Sequence, residues 1–107
     1  IYKKNLSDKV FFPAEKKKEY NTYHTFVIQV KKRNQLKKYL LKKGITTSIH
    51  YPIPIHLQPA AKNLGYKKGD FPITESQSKK IITLPIHQDL KKNDIIRICK
   101  LVNKFVK

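Results

Sequence analysis

The chain has 107 residues, of which 24 are Lys or Arg and 7 are Asp or Glu, so its formal net charge is +17. That length suits one domain, and a composition with 39% hydrophobic and 10% aromatic residues is too apolar for a disordered basic tail. No apolar run approaches the ~20 residues that a membrane-spanning helix needs, so we expect no transmembrane segment.

The charge first suggests a nucleic-acid partner, because lysine and arginine side chains release counterions from phosphates. Only Arg33 and Arg97 are arginines, however, and most lysines are spread along the chain in doublets. Dispersed lysines are typical of solvated helix faces and turns. We therefore expect nucleic-acid binding to be weak and non-specific, and a nucleic-acid surface or a membrane-surface contact stays open as a lesser alternative.

Cysteine usage indicates a reducing compartment. Cys99 is the only cysteine, so it cannot form a disulfide within the chain. No Cys and His spacing resembles a zinc site, and no signal-peptide pattern opens the sequence, so a cytoplasmic location fits best. Because the chain contains no Met, we expect it to start inside a longer protein.

Residues 1–22 differ in pattern from the rest. Tyr2 and Leu6 lie four residues apart, which predicts the end of a helix within residues 1–9. Residues 12–21 are polar and charged and contain a proline, which predicts a connecting loop.

A strand, a helix and a second strand are predicted next. Residues 23–30 are largely β-branched or aromatic, which predicts a strand. Asn34 can cap a helix over residues 34–43, which Gly44 ends. Its apolar residues share one face: Leu36, Tyr39 and Leu40. Residues 45–50 are again β-branched and predict another strand, so this part begins like a βαβ unit.

Prolines dominate the middle of the chain. Three of them between residues 51 and 59 predict an extended, rigid segment without helix or central strand. Pro59 can open a short helix. Asp70 can cap a further helix that has Pro72 in its first turn and runs to about Ile81.

The C-terminal part completes the predicted domain. Residues 83–86 predict a short strand, and residues 89–93 lead into a final helix. The apolar positions of this helix form one stripe: Ile95, Ile98, Cys99, Val102, Phe105 and Val106. The sequence thus predicts one small α/β domain, of the α+β type, with about three strands and about three main helices.

The candidate functional residues follow the second predicted strand: His50, Tyr51, His56 and Gln58. Imidazole, phenol and carboxamide groups at the end of a strand can bind phosphates, hydroxyls and carboxylates. The alternative is that these side chains only pack and satisfy backbone groups. A metal site is not indicated, because neither histidine has a carboxylate or cysteine nearby in the sequence.

Self-contained catalysis is not indicated either. The three glycines lack the spacing of a phosphate-binding loop. Cys99 lies on an apolar stripe, which indicates a packing thiol. Ser48 and His50 have no evident third partner for a catalytic triad.

Much of the chain resembles a known family, and six segments carry the resemblance: residues 23–28, 40–59, 64–66, 69–72, 75 and 83–86. In this order they are similar to the C-terminal part of the DegT/DnrJ/StrS sugar aminotransferases. The match extends over nearly the whole chain and is loosest over residues 7–21. It is most specific at Gly44-Ile45, at His50-Tyr51-Pro52 and at the group of His56, Gln58 and Pro59.

The resemblance implies the C-terminal small domain of an aspartate-aminotransferase-type (fold type I) enzyme that uses pyridoxal phosphate (PLP). Such enzymes move an amino group, usually from glutamate, to a nucleotide-linked keto-sugar, and they work as homodimers. Their Schiff-base lysine and most phosphate ligands belong to a large N-terminal domain. We therefore assign no catalytic residue here, and we expect the 107 residues alone to bind no PLP, to be inactive and to expose the face that a large domain covers.

The resemblance also places His50 and Tyr51 beside the substrate as contacts to the sugar or its diphosphate, with His56 and Gln58 as further candidates. It assigns residues 1–22 to the end of an interdomain helix with a connecting loop, and residues 23–107 to the small domain. Two alternatives stay open: a stand-alone basic nucleic-acid-binding module, and a non-catalytic interaction domain. The particular nucleotide-sugar and the aminated carbon are also open.

Overall fold

Helices begin and end the chain, and two paired strands lie at its centre, in a computed structural model that describes all 107 residues. The regular elements are α1 (Tyr2–Asn5), β1 (Phe26–Gln29), α2 (Arg33–Lys42), α3 (Pro72–Ser78), β2 (Ile81–Leu84) and α4 (Lys92–Val106). Two 3₁₀ turns, Ile55–Leu57 and Pro59–Leu64, lie between α2 and α3. No helix combines the length and the apolar character needed to cross a lipid bilayer. The small α/β domain predicted from the sequence is confirmed.

The two strands pair antiparallel, although most of the domain separates them along the chain. Phe26 lies opposite Leu84 and Ile28 opposite Ile82, and all four side chains are buried. Residues two apart on a strand face the same side of a sheet. The two apolar pairs therefore lie on one face, where they form the centre of the core.

Residues 45–50, predicted as a full strand, make only a single bridge to the sheet. Ser48 and Thr83 of β2 exchange two backbone hydrogen bonds, of 3.2 and 2.7 Å. Val27 of β1 also pairs with Thr83, so β2 lies between β1 and this segment. The predicted βαβ unit is thus split by β2, and the predicted three strands become two strands and a bridge. The prolines that follow have no N–H with which to extend the pairing.

The two longest helices bury their predicted faces. Leu36 and Leu40 of α2 are fully buried, and the ring of Tyr39 lies 5.6 Å from that of Phe105 on α4, measured between centroids. The buried residues of α4 belong to the predicted stripe: Ile98, Cys99 and Val102. The other stripe residues are half-buried against the same core. Burial raises the pKa of the Cys99 thiol, which favours the protonated form expected of a packing residue.

The start of α2 differs from the prediction, whereas its end agrees. Lys32 is the N-cap, and the side-chain oxygen of Asn34 instead accepts a hydrogen bond of 2.6 Å from Nε of Arg33. An asparagine inside the first turn is free to bond a neighbouring side chain, so its presence alone does not mark the cap. Gly44 ends the helix with φ of +76°, a left-handed conformation that suits glycine.

The helix α3 is shorter than predicted and lacks the predicted cap. Phe71 is its N-cap, while Asp70 accepts a hydrogen bond within the preceding turn. The buried guanidinium of Arg33 donates to the carbonyl oxygens of Ser78, at 3.1 Å, and Ile81, at 2.8 Å. These bonds hold the chain where α3 ends and β2 begins, and burial lowers the pKa of Arg33.

The helix α1 is also shorter than the predicted helix over residues 1–9, but it is anchored in the core. Tyr2 is buried and stacks on Phe26, with ring centroids 4.7 Å apart. Its hydroxyl donates a hydrogen bond of 2.7 Å to the carbonyl oxygen of Pro85, which follows β2. Residues 13–21 are exposed and form most of the predicted loop.

The proline-rich segment is not wholly extended, contrary to the prediction. The turn Ile55–Leu57 begins after Pro54, whose carbonyl oxygen accepts a hydrogen bond of 2.9 Å from the N–H of Leu57. A 3₁₀ turn is closed by such an i to i+3 bond, which a proline in the acceptor position permits. The short helix predicted to open at Pro59 is present as the second 3₁₀ turn.

Candidate functional site

The four predicted site residues lie on one loop, which runs from the bridge at Ser48 to the second 3₁₀ turn. We call residues 50–59 the proline loop. His50 and Tyr51 begin it and are exposed, whereas His56 is buried and Gln58 half-buried near its end. No hydrogen bond or ring contact joins the first pair to the second.

His50 is held by the sheet. Its Nδ1 lies 2.9 Å from Oγ1 of Thr83, a buried residue of β2, and the tautomer decides which of the two donates. Its ring meets that of Tyr51 edge-on, with centroids 5.4 Å apart. The second imidazole nitrogen, Nε2, has no hydrogen-bond partner in the chain, so it is available to a ligand.

Tyr51 extends from the protein beside His50. It is 67% exposed, and its hydroxyl makes no hydrogen bond within the chain. A phenol can both donate and accept a hydrogen bond, and an imidazole nitrogen can do either according to its protonation. The pair therefore presents two adjacent polar groups that suit an oxygen-rich ligand.

His56 and Gln58 brace the loop. Nε2 of His56 lies 2.9 Å from Oε1 of Glu75 on α3, and Nε2 of Gln58 donates to the carbonyl oxygen of Ile53 at 3.1 Å. The same Oε1 accepts a hydrogen bond of 2.7 Å from the N–H of Gly69. The hydrogen bond to His56, followed by the one to Gly69, holds the pKa of the Glu75 carboxyl below its usual range.

Thr83 and Glu75 position the two histidines, although sequence reasoning did not single them out as site residues. Each lies far along the chain from the histidine that it contacts, so local patterns could not link them. Both belong to segments that resemble the sugar aminotransferases, and that resemblance is the signal that could have found them.

Most of the large hydrophobic side chains that are exposed lie within residues 51–73, including Ile55 and Ile73, which are 77% and 73% exposed. Part of this surface forms an open depression of about 310 Å³, lined by Ile55, His56, Leu64, Tyr66, Phe71 and Thr74. Such an apolar surface is typical of a face that another domain or chain covers.

The chain's own residues do not fit the covalent attachment of PLP. A Schiff-base lysine needs a desolvated amine of lowered pKa, but every lysine here is exposed or half-buried. The pKa of Lys3, which contacts Tyr23 and Glu15, is raised instead. No group of three or more His, Cys, Asp or Glu side chains is placed to hold a metal ion.

Comparison with known proteins matches residues 1–103 to the DegT/DnrJ/EryC1/StrS aminotransferase family. The chain is 34% identical over 100 residues to the "Pleiotropic regulatory protein" of Geobacillus stearothermophilus, covering 94% of this chain and 27% of that protein. It is 34% identical over 85 residues to dTDP-3-amino-3,6-dideoxy-alpha-D-galactopyranose transaminase of Aneurinibacillus thermoaerophilus, covering 79% and 23%. The chain thus spans about a quarter of the length of these curated relatives.

The fold is shared with solved sugar-aminotransferase structures. DesV of S. venezuelae, solved in complex with a ketimine intermediate, superposes with a TM-score of 0.93 at 27% sequence identity. The superposition covers 99% of this chain and 29% of DesV, so it includes the proline loop together with the segments of Glu75 and Thr83 that contact it. Sequence and fold agree with the resemblance, and the chain belongs to the DegT/DnrJ/EryC1/StrS aminotransferase family.

Proposed function

We propose that this chain is the sugar-contacting domain of a PLP-dependent aminotransferase that moves an amino group from glutamate to a nucleotide-linked keto-sugar. Family membership supports the reaction, and the dTDP-sugar in the name of the Aneurinibacillus relative supports the substrate class. The ketimine complex of DesV supports the cofactor. The observation that carries the residue assignment is the pair of free polar groups on His50 and Tyr51.

In this proposal Nε2 of His50 and the hydroxyl of Tyr51 bind the sugar or its diphosphate. The Thr83 hydroxyl restrains the imidazole, and the proline after Tyr51 restricts the backbone. Both groups thus lose little freedom when they bind, which favours orientation of a bulky ligand. They act as positioning groups and not as nucleophiles. His56 and Gln58 stay further candidates for contacts.

The cofactor supplies the electron sink for amino-group transfer when it is bound. Because no lysine of this chain is buried, we infer that a large PLP-binding domain outside residues 1–107 carries the Schiff-base lysine. On this view residues 1–22 form the end of an interdomain helix and a connecting loop, and residues 23–107 form the small domain. The 107 residues alone should bind no PLP and should not transaminate.

We also propose that the complete enzyme is a homodimer in the cytoplasm. Family membership supports the dimer. The free, buried thiol of Cys99 supports a reducing compartment. Any nucleic-acid binding should be weak and non-specific, because the lysines are dispersed and Arg97 is the one exposed arginine, Arg33 being buried.

The test uses the complete aminotransferase that carries this domain. His50→Ala and Tyr51→Phe are each expected to lower kcat/KM for the keto-sugar about ten- to a hundredfold, since a hydrogen bond to a charged group contributes about 1.5–3 kcal/mol. The glutamate half-reaction needs no sugar contact and should be largely unchanged, as should the absorbance spectrum of the cofactor. Single-turnover spectroscopy measures the two half-reactions separately.

His24→Ala and Tyr20→Phe are matched controls, because both side chains are exposed and lie outside the proline loop. They should leave both half-reactions unchanged. If the His50 and Tyr51 variants lower both half-reactions equally or lose the cofactor, the two residues are structural. If neither variant lowers the sugar half-reaction, the site assignment is wrong while the family assignment stands.

A further inference from the structure

A single oxygen atom of Glu75 joins three segments of the chain. Oε1 lies 2.9 Å from Nε2 of His56 and accepts a hydrogen bond of 2.7 Å from the N–H of Gly69. We call these two bonds the Glu75 clasp. The side chains of His56 and Glu75 are only 7% and 13% exposed. Because an ionised carboxylate can only accept, Nε2 of His56 carries a proton in this arrangement.

Aromatic rings pack beside His56 of the Glu75 clasp. Phe71 meets His56 edge-on with centroids 4.8 Å apart, and Tyr66 meets Phe71 edge-on at 5.1 Å. The lowered pKa of Glu75 agrees with a carboxylate that stays ionised at neutral pH. The clasp therefore joins α3, the preceding turn and the proline loop under ordinary conditions.

The Glu75 clasp restrains the loop that carries the proposed sugar contacts. His56 follows Tyr51 on the proline loop, and two of the residues between them are prolines, which restrict the backbone. The bond from Gln58 to Ile53 closes the same loop. A restraint at His56 thus limits the positions that are open to Tyr51.

We propose that Glu75 is a positioning residue for the nucleotide-sugar, and that its Oε1 holds the proline loop where His50 and Tyr51 can meet the ligand. This inference rests on the proposed function. Glu75 contacts neither of the two residues, so it acts through the loop. A hydrogen-bond restraint of this kind produces a defect confined to the sugar half-reaction, and an uncharged acceptor at the same place repairs it.

Three variants of the complete aminotransferase test the inference. Glu75→Ala removes the acceptor, Glu75→Asp keeps the charge but withdraws the oxygen by one methylene, and Glu75→Gln keeps an oxygen in place without the charge. The Ala and Asp variants should lower kcat/KM for the keto-sugar about ten- to a hundredfold and change the glutamate half-reaction by less than about twofold. The Gln variant should restore most of the loss.

Amide hydrogen exchange gives a second measurement that does not depend on activity. Exchange over residues 53–59 should become faster in Glu75→Asp and Glu75→Ala and stay near the parent rate in Glu75→Gln. If Glu75→Ala fails to fold, the difference in exchange rate between Glu75→Asp and Glu75→Gln still tests whether Glu75 holds the loop. Glu19→Ala, which removes an exposed carboxylate paired with Lys16, is the control and should change neither measurement.

The outcomes separate this inference from the proposed function. Unchanged exchange in Glu75→Asp, or equal losses in Asp and Gln, overturns the positioning role. Faster exchange with an unchanged sugar half-reaction also overturns it, provided that His50→Ala still lowers that half-reaction. If His50→Ala and Tyr51→Phe have no effect on the sugar half-reaction, the assignment of these two residues as sugar contacts fails instead, and the exchange data then decide whether Glu75 holds the loop.

Discussion

The sheet with its two long helices and the region over residues 51–73 are stabilised in different ways. In the first, the side chains of Ile28, Leu36, Ile82 and Val102 are wholly buried and the two strands pair along their whole length. In the second, only His56 and Ala61 are buried, and most large hydrophobic side chains face solvent. The first region is an apolar core, whereas the second is held in place by a few side-chain hydrogen bonds.

The comparison explains where the candidate site lies. A core that excludes water offers no surface to a ligand, but it fixes Thr83, which holds His50 at the junction of the two regions. Beyond that junction the chain carries polar groups and an apolar surface that are both accessible. Functional residues commonly lie on loops that a rigid scaffold positions. The two regions should therefore respond differently to substitution.

The largest expected effect contrasts two neighbouring leucines on α2. Leu40 is 0% exposed and Leu41 is 61% exposed. Leu40→Ala should lower the free energy of unfolding by about 2–5 kcal/mol, because it removes buried methyl groups and leaves a cavity. Leu41→Ala, the matched control, should change it by less than about 0.5 kcal/mol. Urea unfolding measured by circular dichroism gives both values, and equal losses would contradict the burial assigned to α2.

A smaller effect is expected from the two arginines, which test how the junction between α3 and β2 is held. Arg33 is buried and donates to two carbonyl oxygens where α3 meets β2, while Arg97 is exposed and donates to the carbonyl oxygen of Lys43 at 2.7 Å. Arg33→Ala should lower the free energy of unfolding by about 1.5–3 kcal/mol, since it leaves buried carbonyls without a charged donor. Arg97→Ala should change it by less than about 0.5 kcal/mol.

Hydrogen exchange shows where the effect of Arg33→Ala falls. Because Arg33 joins α2 to the end of α3, amides of residues 72–84 should lose protection in this variant. Arg97→Ala should leave them unchanged. Loss of protection spread evenly over the whole chain would show that the guanidinium supports the core as a whole and not the junction between α3 and β2 in particular.

The smallest expected effect concerns acid and the Glu75 clasp. The hydrogen bond to His56 lowers the pKa of Glu75 in the folded chain. A lowered folded-state pKa means that the ionised carboxylate favours folding above the unfolded value of about 4.3, and that this contribution is lost as the pH falls through the folded value. Glu75→Gln should therefore be less stable than the parent at neutral pH, and the difference should shrink as the pH falls below about 4.

Thermal unfolding at a series of pH values measures this dependence. The matched control is Glu19→Gln, at a glutamate whose side chain is 57% exposed and pairs only with Lys16 and its backbone. Its stability should differ little from the parent at any pH, because exposed ion pairs contribute little. A constant difference between Glu75→Gln and the parent across the series would contradict an ionised clasp.

Several elements could be predicted from the sequence because their signals are local. The run around Phe26 is β-branched and aromatic, and the stripe that includes Ile98 and Val102 keeps a helical period, so a strand and a helix were predicted where β1 and α4 lie, although β1 is shorter than the predicted residues 23–30. Gly44 ends α2 because its left-handed backbone is strained for other residues. The family resemblance added the fold and the proposed reaction, and the comparisons confirm the family.

The caps and the middle strand could not be predicted because they depend on competing partners. Asn34 and Asp70 are good capping residues, yet each side chain bonds elsewhere. Residues 45–50 have the composition of a strand, but β2 takes the place beside β1. Which strand pairs with which depends on the burial of whole apolar faces, and a local pattern does not contain that information.

Composition and local periodicity thus determined that this protein is one small, strongly basic α/β domain, where most helices and strands lie, and that a proline-stiffened loop carries His50, Tyr51, His56 and Gln58. Only the tertiary structure decided that His50 rests on Thr83 and His56 on Glu75. These contacts join residues far apart in the chain. A hydrogen bond depends on distances of about 3 Å that only the packed core sets, and no pattern of neighbouring residues encodes them.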